Sequence, residues 1–131
     1  MPAVKAIEKR GLTPLELEIM QVLWSEGPST ASEVLPRLKG DLAYNTVQTM
    51  LQVLLKKGRV KRAAEGRAYR YRALVSRERA ASAAMAEILK RMFDGSAEAM
   101  LAAMLNAGLV STDDLKRARK AAARVKDAEQ P

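Results

Sequence analysis

The 131-residue chain has no cysteine and no histidine, which excludes disulfides, thiolate metal sites, cysteine nucleophiles and the commonest general base. Its 48% hydrophobic and 29% charged residues are those of a globular chain with one ordinary domain or two small ones. A net charge of +8 favours a polyanionic partner, nucleic acid before membrane surface.

The leader MPAVKAIEKRG has no apolar stretch of the signal-peptide kind. The longest uncharged run, Ala99–Thr112, falls short of the ~20 residues that a bilayer span needs. A cytoplasmic protein is expected. The first helix opens at Thr13, with Pro14 at its first position and Glu16 completing a capping box. Leu15, Ile19, Val22 and Leu23 make its apolar stripe, Met20 and Trp24 widen it, and Gly27-Pro28 ends it. Trp24 is expected in the core or at a junction between lobes. A short second helix follows in STASEVLPRLKG, where Thr30 and Glu33 form another capping box. Ala31, Val34, Leu35 and Leu38 face inward, and Pro36 predicts a kinked or tight last turn.

DLAYNTVQTMLQVLLKKG is the third helix. Val47, Met50, Leu51, Leu54 and Leu55 share one face, while Asn45, Gln48, Thr49, Gln52 and Lys56 share the other. No acid occurs from Leu42 to Ala64. In RVKRAAEGRAYRYRAL the segments around Glu65-Gly66-Arg67 alternate, which predicts a β-hairpin. Tyr69, Tyr71 and Ala73 fall on one face of its second strand, and Arg70 and Arg72 on the other; one or both tyrosines are expected to pack the hairpin onto the helices. Between Lys56 and Arg72 lie eight cations and one acid, Glu65. From Ser76 the composition turns to alanine, methionine and arginine, and three further helices are expected, over about Arg77–Phe93, Ser96–Asn106 and Thr112–Lys126. Ser111 caps the last, with Asp113 and Asp114 in its first turn.

Three helices followed by a basic hairpin is the order of a winged helix-turn-helix. The expected fold is therefore mainly α with a small β-hairpin: a winged-helix DNA-binding domain over residues 1–75 and a helical dimerisation domain over 76–131. A face of amides and hydroxyls on the third helix suits the major groove, because Gln and Asn pair with adenine, Thr bonds base edges or touches thymine methyls, and acids would repel phosphate. Lys61, Arg62, Arg67, Arg70 and Arg72 suit phosphate, with Arg67 at the tip leading, then Lys61 and Arg70; Lys56 joins them from the helix. In the tail, Met85, Ile88, Leu89 and Met92, then Met100, Leu101, Met104 and Leu105, form stripes too thin for a core of their own and suited to a homodimer. A two-fold dimer would set two recognition helices on a pseudo-palindromic operator. No catalytic constellation, cofactor loop or metal-ligand set is present, so no enzyme activity, cofactor or metal is expected. The rival readings are a sequence-neutral nucleic-acid-binding protein and a winged-helix protein-interaction module.

LTPLELEIMQVLWSEGPSTASEVL, LAYNTVQTMLQVLLKKG and GRAYRYRAL, in that order, resemble the penicillinase and methicillin-resistance repressors, a family of bacterial winged-helix regulators. The resemblance runs motif by motif from about Leu12 to Leu74, and the tail has the family's length and layout. It implies a homodimeric repressor of resistance or stress genes that dimerises through its C-terminal helices. It also implies Thr46, Gln48 and Thr49 as base-facing residues, with Asn45 and Gln52 at the edges of the contact. In several relatives a membrane sensor triggers proteolysis within the dimerisation helices, often at an Asn-Phe bond. Ala103-Met104 occupies that place here, and the Asn-Phe pair is absent. A sister branch senses copper through C-terminal cysteines, which this chain lacks.

Overall fold

A hydroxyl, a proline ring and a carboxylate start the chain's first element. The Thr13 Oγ1 accepts from the Glu16 N–H at 3.3 Å, and the Glu16 carboxylate accepts from the Thr13 N–H at 2.8 Å. The helix they cap, α1, spans Pro14–Glu26 in the computed structural model, which describes residues 12–129. The leader considered above lies outside the described residues. Gly27 ends α1 at φ 82°, a left-handed conformation that side chains resist.

Strand β1 (Ser29–Thr30) leads directly into α2 (Ala31–Val34), whose cap is Thr30. Pro36 tightens the next three residues, Leu35–Arg37, into a 3₁₀ turn, the tight ending that its ring predicts. Helix α3 covers Tyr44–Lys56. Strands β2 (Val60–Glu65) and β3 (Ala68–Ala73) form the hairpin, with Val60 opposite Ala73 and Glu65 opposite Ala68. Its two-residue loop begins with Gly66 at φ 62°, as a tight hairpin turn requires. The sheet has three antiparallel strands in the order β1-β3-β2, so the expected hairpin gains a third member. Ser29 pairs with Tyr71 and Thr30 with Arg70. A strand of two residues is too short to show alternation, which is why sequence pattern missed it.

The order α1-β1-α2-α3-β2-β3 is that of a winged helix-turn-helix. Its core draws Ile19, Met20, Val22 and Leu23 from α1, Ala31, Val34 and Leu38 from around α2, and Val47, Leu51 and Leu54 from α3. Val60 and Tyr71 close it from the sheet. Fully burying each large side chain stabilises by about 1.5–3 kcal/mol, so these positions hold α3 and the hairpin in place. Trp24 is half-buried; its indole N–H donates to the Val75 carbonyl at 2.8 Å, and the Arg77 guanidinium lies 5.7 Å from its ring centre.

Three helices complete the chain: α4 (Arg77–Phe93), α5 (Ala97–Asn106) and α6 (Thr112–Glu129). Hydroxyls start all three, since Ser76, Ser96 and Ser111 accept from the N–H of Arg79, Ala99 and Asp114. The chain divides into two compact units, Met1–Glu87 and Ile88–Pro131, the division falling within α4. Among the described residues no side chain after Tyr71 is buried.

Candidate nucleic-acid interface

Helix α3 turns Val47, Leu51 and Leu54 into the core, with Met50 and Leu55 half-buried beside them. The 3.6-residue period then leaves Asn45, Thr46, Gln48, Thr49 and Gln52 exposed on the other side. The Gln48 Nε2 donates to the Tyr44 hydroxyl at 3.1 Å, one turn earlier. Sequence reasoning assigned Tyr44 no role, although its spacing of four from Gln48 was visible on the helix. Tyr44 is 40% exposed and sits on the first turn. Ala43 occupies the cap position of α3 and supplies no side-chain acceptor, and the first turn has no acid. The Thr46 N–H donates to the Ala43 carbonyl at 3.1 Å, so the Tyr44 and Asn45 N–H groups are the ones that α3 itself leaves without a helical partner.

The eight cations from Lys56 to Arg72 have different surroundings. Lys56, Lys61, Arg67 and Arg72 are exposed. Lys61 lies opposite Arg72 across the hairpin, so both share its outer face, and Arg67 stands at the tip. Arg62 projects from the inner face: its guanidinium lies 3.9 Å from the Tyr69 ring centre and donates to the Tyr71 hydroxyl at 3.4 Å. Tyr71 is buried and anchors the sheet to the helices, whereas Tyr69 is 45% exposed and carries Arg62. Arg59 is half-buried at the foot of the hairpin.

Two members of the run are committed to carboxylates within the fold. Lys57 turns inward, and its Nζ lies 2.8 and 3.0 Å from the two oxygens of Glu16, which is 1% exposed. Burial pushes the Glu16 carboxyl up, but hydrogen bonds from Lys57 and Thr13 outweigh it and hold the group below its ordinary 4.5. Arg70, expected on phosphate, bonds Glu33 at 2.9 Å, Glu65 at 2.7 Å and the Pro28 carbonyl at 2.9 Å. The hydrogen bonds from Arg70, aided by Thr30, hold the Glu33 carboxyl below 4.5. Glu16 and Lys57 stand 41 residues apart and Glu33 and Arg70 stand 37 apart, separations that no periodicity reports.

In the tail, the apolar stripes face solvent. Met85, Ile88, Met92, Leu101 and Leu105 are exposed, Met92 by 74%, while Leu89, Met100 and Met104 are half-buried.

The profile of the family described as penicillinase repressor matches residues 12–124. The transcriptional regulator BlaI of Mycobacterium tuberculosis is 37% identical over 112 residues, spanning 82% of this chain and 81% of that one. The chain belongs to the penicillinase repressor family. The penicillinase repressor of Bacillus licheniformis is 26% identical over 106 residues, 79% of this chain and 83% of its own. Among solved structures, a MarR family protein from Bacillus stearothermophilus overlaps with a TM-score of 0.47 at 20% identity, covering 98% of this chain and 82% of that one. Membership of the penicillinase repressor family makes the protein a DNA-binding transcriptional repressor and not an enzyme. Among the described residues no helix is long and apolar enough to cross a membrane.

Proposed function

We propose that the protein is a cytoplasmic dimer that represses resistance or stress genes by occupying a pseudo-palindromic operator. Residues 1–75 bind DNA and residues 76–131 dimerise. Thr46, Gln48 and Thr49 read base edges in the major groove, with Asn45 and Gln52 at the margins. Arg67, Lys61, Lys56 and Arg62 contact phosphates, joined by Arg72. The observation that carries this reading is the exposed, acid-free face of amides and hydroxyls on α3, standing on an apolar face that is locked into the core. Dimerisation rests on the exposed stripe of Met85, Ile88, Met92, Leu101 and Leu105, which one copy leaves in water. Induction through a membrane sensor and its protease would require cleavage at a bond other than Asn-Phe, since Ala103-Met104 stands at that place.

Nuclease footprinting on genomic fragments tests the reading. A single protected stretch with dyad symmetry is the expected result, with two half-sites one DNA turn or a multiple apart. Uniform coverage of every fragment would replace it with sequence-neutral binding. No salt-sensitive protection at all would point to a module that binds protein.

A further inference from the structure

The basic run from Lys56 to Arg72 contains one acid, Glu65, and the fold brings a second, Glu33 of α2, to the same guanidinium. Arg70 donates from Nε and Nη2 to Glu65 Oε2 at 3.0 and 2.7 Å. Its Nη1 donates to the Pro28 carbonyl at 2.9 Å and to Glu33 Oε2 at 3.4 Å, and Nη2 also donates to Glu33 Oε1 at 2.9 Å. All three nitrogens are thus engaged inside the molecule, and no edge of the guanidinium is left to fork a phosphate. The two carboxylates come from opposite sides of the sheet's connections, Glu65 beside the wing loop and Glu33 in the first turn of α2. One guanidinium between them leaves a single net negative charge; without it there would be two, only two residues from Arg67 at the wing tip.

We propose that Arg70 serves DNA binding by masking Glu33 and Glu65 from the phosphate strand without touching DNA itself. This rests on the DNA-binding reading above. Arg70 cancels the repulsion that Glu65, the one acid of the basic run, would otherwise exert. Lys61 and Arg72, exposed on the same outer face of the hairpin, and Arg67 at its tip remain to meet phosphate.

Masking of phosphate repulsion is independent of sequence, so a fluorescent mixed-sequence duplex is a sufficient probe. The full chain, Arg70→Met and the triple variant Glu33→Gln/Glu65→Gln/Arg70→Met are titrated against it at several salt concentrations by anisotropy. Arg70→Met should weaken binding roughly tenfold, because like charges facing the phosphates are costly. The triple variant, whose cluster carries no charge, should bind at least as tightly as the parent, with the parent's salt slope, because no phosphate contact has been lost. A triple variant as weak as Arg70→Met, with its slope lowered by about one, would show a direct contact and overturn the masking. If Arg70→Met does not fold by circular dichroism, the triple variant decides alone on the same two criteria. Parent protein that ignores the duplex at low salt overturns both this inference and the DNA-binding reading; parent binding with a weak triple variant overturns the masking only.

Discussion

Gln48 illustrates how one side chain of the proposed base-reading face is held in place. Its amide is tied to the Tyr44 hydroxyl at 3.1 Å, which leaves the Gln48 carbonyl and one amide hydrogen for a partner. Holding an amide before binding reduces the entropy lost when it meets a base. Tyr44→Phe should therefore weaken operator binding by about 1 kcal/mol and leave a scrambled duplex unaffected, as competitive gel shifts would measure. An equal loss on both duplexes would instead give Tyr44 a phosphate contact. Which side of α3 is exposed was readable in sequence because an amphipathic helix sorts neighbouring residues by angle alone. The fates of Lys57 and Arg70 were not, because both depend on carboxylates that the fold brings from far along the chain.

Elements are positioned by a buried polar tie as well as by the apolar core. Glu16 and Lys57 join the start of α1 to the residue just beyond α3, with side chains 2% and 10% exposed. Removing one partner strands a buried charge, so Lys57→Met should lower stability by about 3 kcal/mol, and Glu16→Gln/Lys57→Met should recover much of it, read from denaturant melts. The carboxyl of Glu16 is lowered from 4.5 in the folded state. Its contribution is therefore complete above that ordinary value and lost as the pH falls through the lowered folded one. The parent should lose stability across that acid window, and Glu16→Gln should lose less; parallel curves would contradict the assignment. The capping pairs Thr13 with Glu16 and Thr30 with Glu33, and the turn forced by Pro36, are local rules and were legible in sequence. Strand β1 was not, since two residues carry no period.

Across the whole molecule, apolar surface is unevenly satisfied. The winged helix buries most of its aliphatic residues, Leu17 and Leu74 excepted, whereas Met92 and Leu109 are each 74% exposed and Val125 is 59% exposed. Side chains of this size yield about 1.5–3 kcal/mol when fully covered, which suits an interface with a second copy. Sedimentation equilibrium should give a dimer for the parent, and Met92→Glu should shift it toward monomer while leaving the thermal transition of the winged helix in place. A parent that stays monomeric at high concentration would remove the two-fold operator from the proposal.

The division of labour between α3 and the wing is tested most directly by binding isotherms of Gln48→Ala and Arg67→Ala, on the footprinted site and on a scrambled duplex, over a range of salt. Gln48→Ala should cost ~1–3 kcal/mol on the site and almost nothing on the scrambled duplex. Arg67→Ala should weaken both alike and reduce the salt slope by about one. Equal losses from both substitutions on both duplexes would contradict base reading by α3 and phosphate binding by the wing.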